Sequence, residues 1–173
     1  SKKALDEIKK RHDITDKIAA KAIGYGALKY GMLRVSPEKS VTFNWESALS
    51  FEGDASPYIQ YAYARINSIL QKHKVRKKDS NFKLLNNEEE TTLIKILSDF
   101  PNIVEKATKE LKPHIIANYS YTLAQKFNEY YHKHPILKAD DNLKHARIEL
   151  IKSVAQVIKN SLSLLGITVL EKM

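Results

Sequence analysis

Cysteine is absent from all 173 residues. That single absence removes disulfides, thiolate metal sites and cysteine nucleophiles together. It fits a reducing compartment, and the expected setting is cytoplasmic. Glycine and proline are scarce, 5 of each, so few positions break a helical pattern. No apolar run approaches the roughly 20 residues of a membrane span, and no signal-like segment opens the chain. The chain begins at Ser1 rather than at a methionine, as a cut fragment would. Acidic residues are in the minority: 29 Lys and Arg against 20 Asp and Glu leave a net charge of +9. Such an excess favours nucleic acid, a phosphate-rich surface or an anionic membrane as partner. It does not choose among them, because many soluble domains carry extra lysine.

Hydrophobic residues make up 43% of the chain, enough to bury a core. Their spacing is helical almost everywhere. The pattern predicts a short helix over about 3–12 and a longer one over about 15–33, capped by Asp13 or Thr15. Gly24 and Gly26 within the latter point to close packing against a neighbour. Ser36-Pro37 marks a break, and a short helix is expected over 45–49. Phe43, Trp45 and Leu49 read as a packing anchor there. Glu52 and Asp54, flanking Gly53, read as turn and capping residues.

Pro57 suits the first turn of a helix extending to about residue 75. The basic stretch after it reads as a loop. Asn86 or Asn87 caps the next helix, whose three glutamates sit where the helix dipole favours them. Pro101 is expected to start a further short helix, and Pro113 a long one to about residue 132. A last helix covers about 143–165, with Gly166 as its C-cap. No strand and no fixed-period repeat is evident. The prediction is an all-α helical bundle with short connections: residues 1–50 a lead-in, residues 51–173 the bundle.

Within "SPYIQYAYAR", Ile59, Ala62, Ile66, Ile69 and Leu70 share a core face at about 100° per residue. Tyr58, Tyr61 and Arg65 stand at i, i+3 and i+7 and form one stripe beside it. Tyr63 lies on the other flank. Two readings of the stripe are open. The rings and the guanidinium suit an unstacked nucleobase with its phosphate. Alternatively, the tyrosines fill the core edge with their hydroxyls in water. A second edge of this kind follows: Ile116, Tyr119, Leu123, Phe127 and Tyr130 share a face, with Tyr131 at its margin. The run "QKHKVRKK" offers Lys72, Lys74, Arg76 and Lys77 as phosphate contacts, or else a solvated loop. Lys126, Lys133 and Lys172 are weaker candidates of the same kind. His114, His132 and His134 do not have convincing metal-ligand spacing, and no catalytic constellation can be assembled.

Four stretches together resemble a known family. They are "AIGYGALKYGML", "FNWESALSFEGDASPYIQYAYARI", "LAQKFNEYYHKHPIL" and "LLGITVLEKM". In this order they are similar to the C-terminal part of the arginyl-tRNA synthetases, class I enzymes, and cover nearly the whole chain. "DASPY" departs from the family's usual threonine and glycine before the proline. The HIGH-type and KMSKS-type catalytic motifs are missing; "SPEKSV" only superficially echoes the second. The resemblance therefore implies a C-terminal anticodon-binding domain without its catalytic domain, inactive alone and with no cofactor of its own. ATP with magnesium belongs to the parent enzyme, an arginine–tRNA ligase.

The implied partners are arginine tRNA, through its anticodon loop, and the catalytic domain of the same chain. A monomer without membrane attachment is expected. The anticodon-binding positions implied by the match are Tyr58, Tyr61, Arg65, Tyr131 and Met173. For Met173 the terminal carboxylate could accept a hydrogen bond from a cytosine amino group. The competing expectation is a helical protein-interaction module that has lost tRNA specificity.

Overall fold

The computed structural model describes residues 16–72 and 80–173. Its described residues form helices and no strand. Helix α1, Lys17–Leu33, starts at Asp16, whose carboxylate accepts the Ile18 N–H at 2.8 Å. The candidate caps Asp13 and Thr15, and the short helix expected over 3–12, lie outside the described residues. Helix α2, Trp45–Ala48, is capped by Asn44. Helix α3, Ser56–Lys72, carries Pro57 in its first turn; its expected extension to 75 falls outside the description. A 3-10 turn, Phe82–Leu84, leads to α4, Glu88–Glu110. Asn87 caps α4 in a reciprocal capping box with Glu90. Helices α5, His114–Lys133, and α6, Asp141–Leu164, complete the fold.

Pro101 begins no helix of its own: α4 runs through it without a break. A proline in mid-helix removes one N–H and presses on the carbonyl four residues back, here Leu97. One neighbour packs against this stretch: Tyr119 of α5 donates its hydroxyl to the adjacent Ile96 carbonyl at 2.8 Å, and its ring lies 5.5 Å from Phe100. Tertiary packing overrides the local signal. At the far end of the fold, Gly166 has φ +67°, and the Ile167 N–H returns to the Leu162 carbonyl at 2.8 Å. That is the left-handed close a glycine permits.

Helices α3 to α6 enclose the main core, built around Ile59, Ile66, Leu93, Leu123, Phe127 and Ile151. Helix α1 packs across α3. A smaller cluster of Ala20, Ile23, Ala27, Ala48 and Leu49 is covered by Phe43, Trp45 and Leu170. Trp45 meets Phe43 edge-on at 4.8 Å, so it is a packing anchor. Gly26 lets α1 approach α3: a Cβ there would lie 2.8 Å from the Ser56 hydroxyl.

Asp54 is more than a turn residue. Its carboxylate takes the Arg34 guanidinium at 2.8 Å and the hydroxyl of the buried Tyr30 at 2.5 Å. Burial first, and then Asp54, push the Tyr30 phenol far above its ordinary range.

Candidate nucleic-acid interface

Tyr58 of α3 meets Tyr121 of α5 at 5.7 Å between ring centroids. Seven residues further along both helices, Arg65 donates to the Asn128 carboxamide oxygen at 2.8 Å. Equal steps in one direction mean that α3 and α5 run parallel, with the aromatic-arginine stripe along their seam. The seam divides that stripe. Tyr58 turns inward, half-buried against Tyr121 and the core. Tyr61 remains 37% exposed, one turn before Arg65.

Arg65 is the centre of the exposed part. Its guanidinium carbon lies 4.7 Å from the Tyr61 ring centroid and 5.0 Å from that of Tyr131. Tyr131 is likewise 37% exposed. Such contacts stabilise by about 0.5–1 kcal/mol each at exposed sites. Together with the Asn128 bond they hold a normally mobile side chain in one orientation. Phe51 supports Tyr61 edge-on at 6.1 Å, and the buried Phe127 supports Tyr131 at 6.1 Å. The arrangement offers two aromatic faces and a fixed cation with donors to spare.

Beside Arg65 opens a cleft of about 420 Å³ between the end of α3 and the loop after α5. Its loop wall is anchored from beneath. Ile136 is buried, and Arg147 of α6 donates to the Pro135 carbonyl at 2.9 Å. Arg147 also reaches the fully buried Glu90 at 2.8 Å. The Tyr130 hydroxyl lies 3.4 Å from the same carboxylate, and burial pushes that phenol well above its usual range. A second tie joins α4 to α5: Glu89 takes Lys133 at 2.5 Å and His134 at 3.0 Å. Hydrogen bonds from these two partners pull the Glu89 carboxyl down to about 2.

The cationic candidates separate on this geometry. Lys133 is committed to Glu89, and Lys126 to Glu129 at 2.8 Å. Lys72 lines the cleft. Lys74, Arg76 and Lys77 lie outside the described residues. Met173 ends a tail whose Thr168 carbonyl accepts from Gln60 at 2.7 Å and whose Leu170 packs on the α1–α2 cluster. Those contacts seat the tail on α3 and on the α1–α2 cluster, and Met173 itself is 37% exposed. Among the described residues no group of three His, Asp or Glu side chains could hold a metal.

Asn128 and the cleft wall escaped sequence reasoning. Asn128 stands three residues before Tyr131, on the flank of the aromatic edge. That was the available signal, but its partner lies 63 residues away.

The family model of the DALR anticodon binding domain matches residues 59–173. The chain belongs to this family. An arginine–tRNA ligase of Pyrococcus abyssi is 46% identical over 159 residues, with 89% of this chain and 25% of the relative covered. One from Borrelia duttonii is 44% identical, covering all of this chain and 31% of the relative. The solved arginyl-tRNA synthetase of Thermus thermophilus superposes on 99% of this chain and 30% of its own, with a TM-score of 0.89 at 34% identity. The chain thus spans a quarter to a third of these relatives' length. The resemblance to the arginyl-tRNA synthetases and the all-α bundle expected of their anticodon-binding domain are both correct. No described helix is long and apolar enough to cross a membrane.

Proposed function

We propose that this chain binds arginine tRNA by its anticodon loop, as the anticodon-binding part of an arginyl-tRNA synthetase. The observation that carries the reading is the Arg65 guanidinium fixed between Tyr61 and Tyr131 beside an open cleft. A splayed base can stack on either exposed ring, while the guanidinium donates to a base edge or phosphate. Arginine codons all carry G in the middle, so the middle anticodon base to be read is cytosine. Tyr58 lengthens the aromatic seam, and the Met173 carboxylate is the proposed acceptor for the cytosine amino group. Lys72, with Lys74, Arg76 and Lys77, supplies salt-sensitive phosphate attraction.

Residues 1–50 serve as the lead-in to the catalytic domain, and residues 51–173 as the RNA-binding bundle. Arginylation with ATP and magnesium belongs to the catalytic part, and this stretch needs no cofactor. The working unit is a cytoplasmic monomer. One observation supports attachment of a further domain. Ile18, Tyr25, Leu28 and Met32 form an exposed apolar stripe along α1, 41–77% accessible. A helix apolar on both faces is ordinarily covered on both.

Fluorescence anisotropy with arginine tRNA, a variant with another middle anticodon base and an unrelated tRNA tests the proposal. A preference for the first that is lost in Arg65→Ala, with the fold intact by circular dichroism, is expected. Equal affinity for all three at moderate salt overturns anticodon reading. Absence of binding favours the protein-interaction alternative.

A further inference from the structure

The cleft beside Arg65 has a chemistry of its own. Its α3 side presents Ile69 and Ser68; its loop side presents Pro135 and Leu137. Lys72 and Lys138 stand at its two rims, both exposed, and neither forms an ion pair among the described residues. An apolar slot with an opposed pair of cations fits a flat, neutral ring carrying a phosphate. The volume of about 420 Å³ admits a purine as readily as a pyrimidine. The wall is preformed, because Arg147 holds the Pro135 carbonyl and Ile136 is buried beneath it. Arg65 and Tyr131 line the same cleft, so its occupant adjoins whatever stacks on them.

We infer that this cleft is a second nucleotide subsite. It takes the unpaired ribonucleotide next in the strand to the base read at Arg65, with its base against Pro135 and Leu137 and its phosphate between Lys72 and Lys138. The inference rests on the anticodon-loop reading above. The subsite is tolerant of base identity. Ser68 spends its proton on the Ala64 carbonyl at 3.0 Å, so its hydroxyl can only accept. His132 and His134 also line the cleft, His134 already tied to Glu89. The apolar surface of Ile69, Pro135, Ile136 and Leu137 stacks any base.

Stem-loop RNAs with cytosine in the middle anticodon position are titrated against the 173-residue chain. An abasic residue replaces the middle nucleotide or either neighbour in turn. One flanking abasic residue is expected to weaken binding about fivefold to tenfold, as loss of one stacked base does, while exchange of that base costs no more than about twofold. The exposed double variant Leu137→Ser with Lys138→Gln should bind the intact RNA as weakly and lose nothing further on abasic substitution, at an unchanged melting temperature.

If both flanking abasic RNAs bind wild type normally while the middle one does not, the cleft is no subsite and the anticodon reading stands. The cleft is likewise no subsite if a flanking abasic residue costs the double variant as much as wild type. If the middle abasic residue is also without effect, both inferences fall.

Discussion

Replacing Arg147 by methionine tests how the cleft wall is held. The substitution keeps an unbranched side chain of similar length and removes the charge. Glu90 is fully buried, and without Arg147 it retains only the Asn87 N–H and the Tyr130 hydroxyl, both at 3.4 Å. Removing one partner of a buried ion pair costs about 3–5 kcal/mol, because the other charge is left uncompensated. The Pro135 carbonyl also loses its donor, but its exposed loop can turn toward water, which limits that contribution. A loss of about 4 kcal/mol is therefore expected, a large share of the roughly 5–15 kcal/mol of a typical domain. Urea unfolding at neutral pH measures it.

A further result separates this cause from simple loss of packing. The double variant with Glu90→Gln should recover much of the loss, because it removes the charge left without its partner. A deficit below about 1 kcal/mol, far under the cost of an orphaned buried charge, refutes the reasoning. So does a double variant no more stable than Arg147→Met.

Arg65→Lys should lower stability by no more than about 1–2 kcal/mol, the sum of its two ring contacts, and weaken binding of anticodon stem-loop RNA about tenfold, since a lysine lacks the planar fork and stacks poorly; equal affinity in anisotropy titrations would show that only charge matters there. In Glu89→Gln the acid limb of stability should flatten. The depressed Glu89 carboxyl contributes stability fully above its unfolded value near 4.5, and this is lost as pH falls toward about 2; an acid-unfolding midpoint identical to wild type would contradict this. Gly26→Ala should destabilise despite alanine's better helix propensity, because its methyl meets Ser56, Gln60 and Ile167 within 3.2 Å; the net loss is about 1 kcal/mol after overpacking is set against propensity. A raised melting temperature would mean that α1 can move off α3 freely.

What was legible in the sequence follows from range. Periodicity and caps are local, so Asn87, Pro57 and Gly166 could be assigned from their neighbours alone. The inward face Ile59, Ala62, Ile66 and Ile69 followed from the same arithmetic, and all four are buried. Pro101 misled because the packing against α4 at that point comes from Tyr119, on another helix. Asp54 looked like a turn residue because Arg34 and Tyr30 lie 20 and 24 residues away. At the candidate site, Tyr61 and Arg65 were visible as one stripe. That Tyr131 faces them, that Asn128 fixes the guanidinium and that Tyr58 turns into the seam all depend on the parallel register of α3 and α5. No single segment encodes that register.

The tail after α6 bears on how the chain comes to be folded at all. Lys29 of α1 bonds the Gly166 carbonyl 137 residues later. Ile167 lies against Gly26, and Leu170 helps cover the α1–α2 cluster. A nascent chain emerges in order, so α1 leaves the ribosome long before these partners exist. At about 5–20 residues per second the wait is on the order of ten seconds. During it, one of the most apolar helices of the molecule has no complete seat. Residues made 137 positions later are the ones that latch α1.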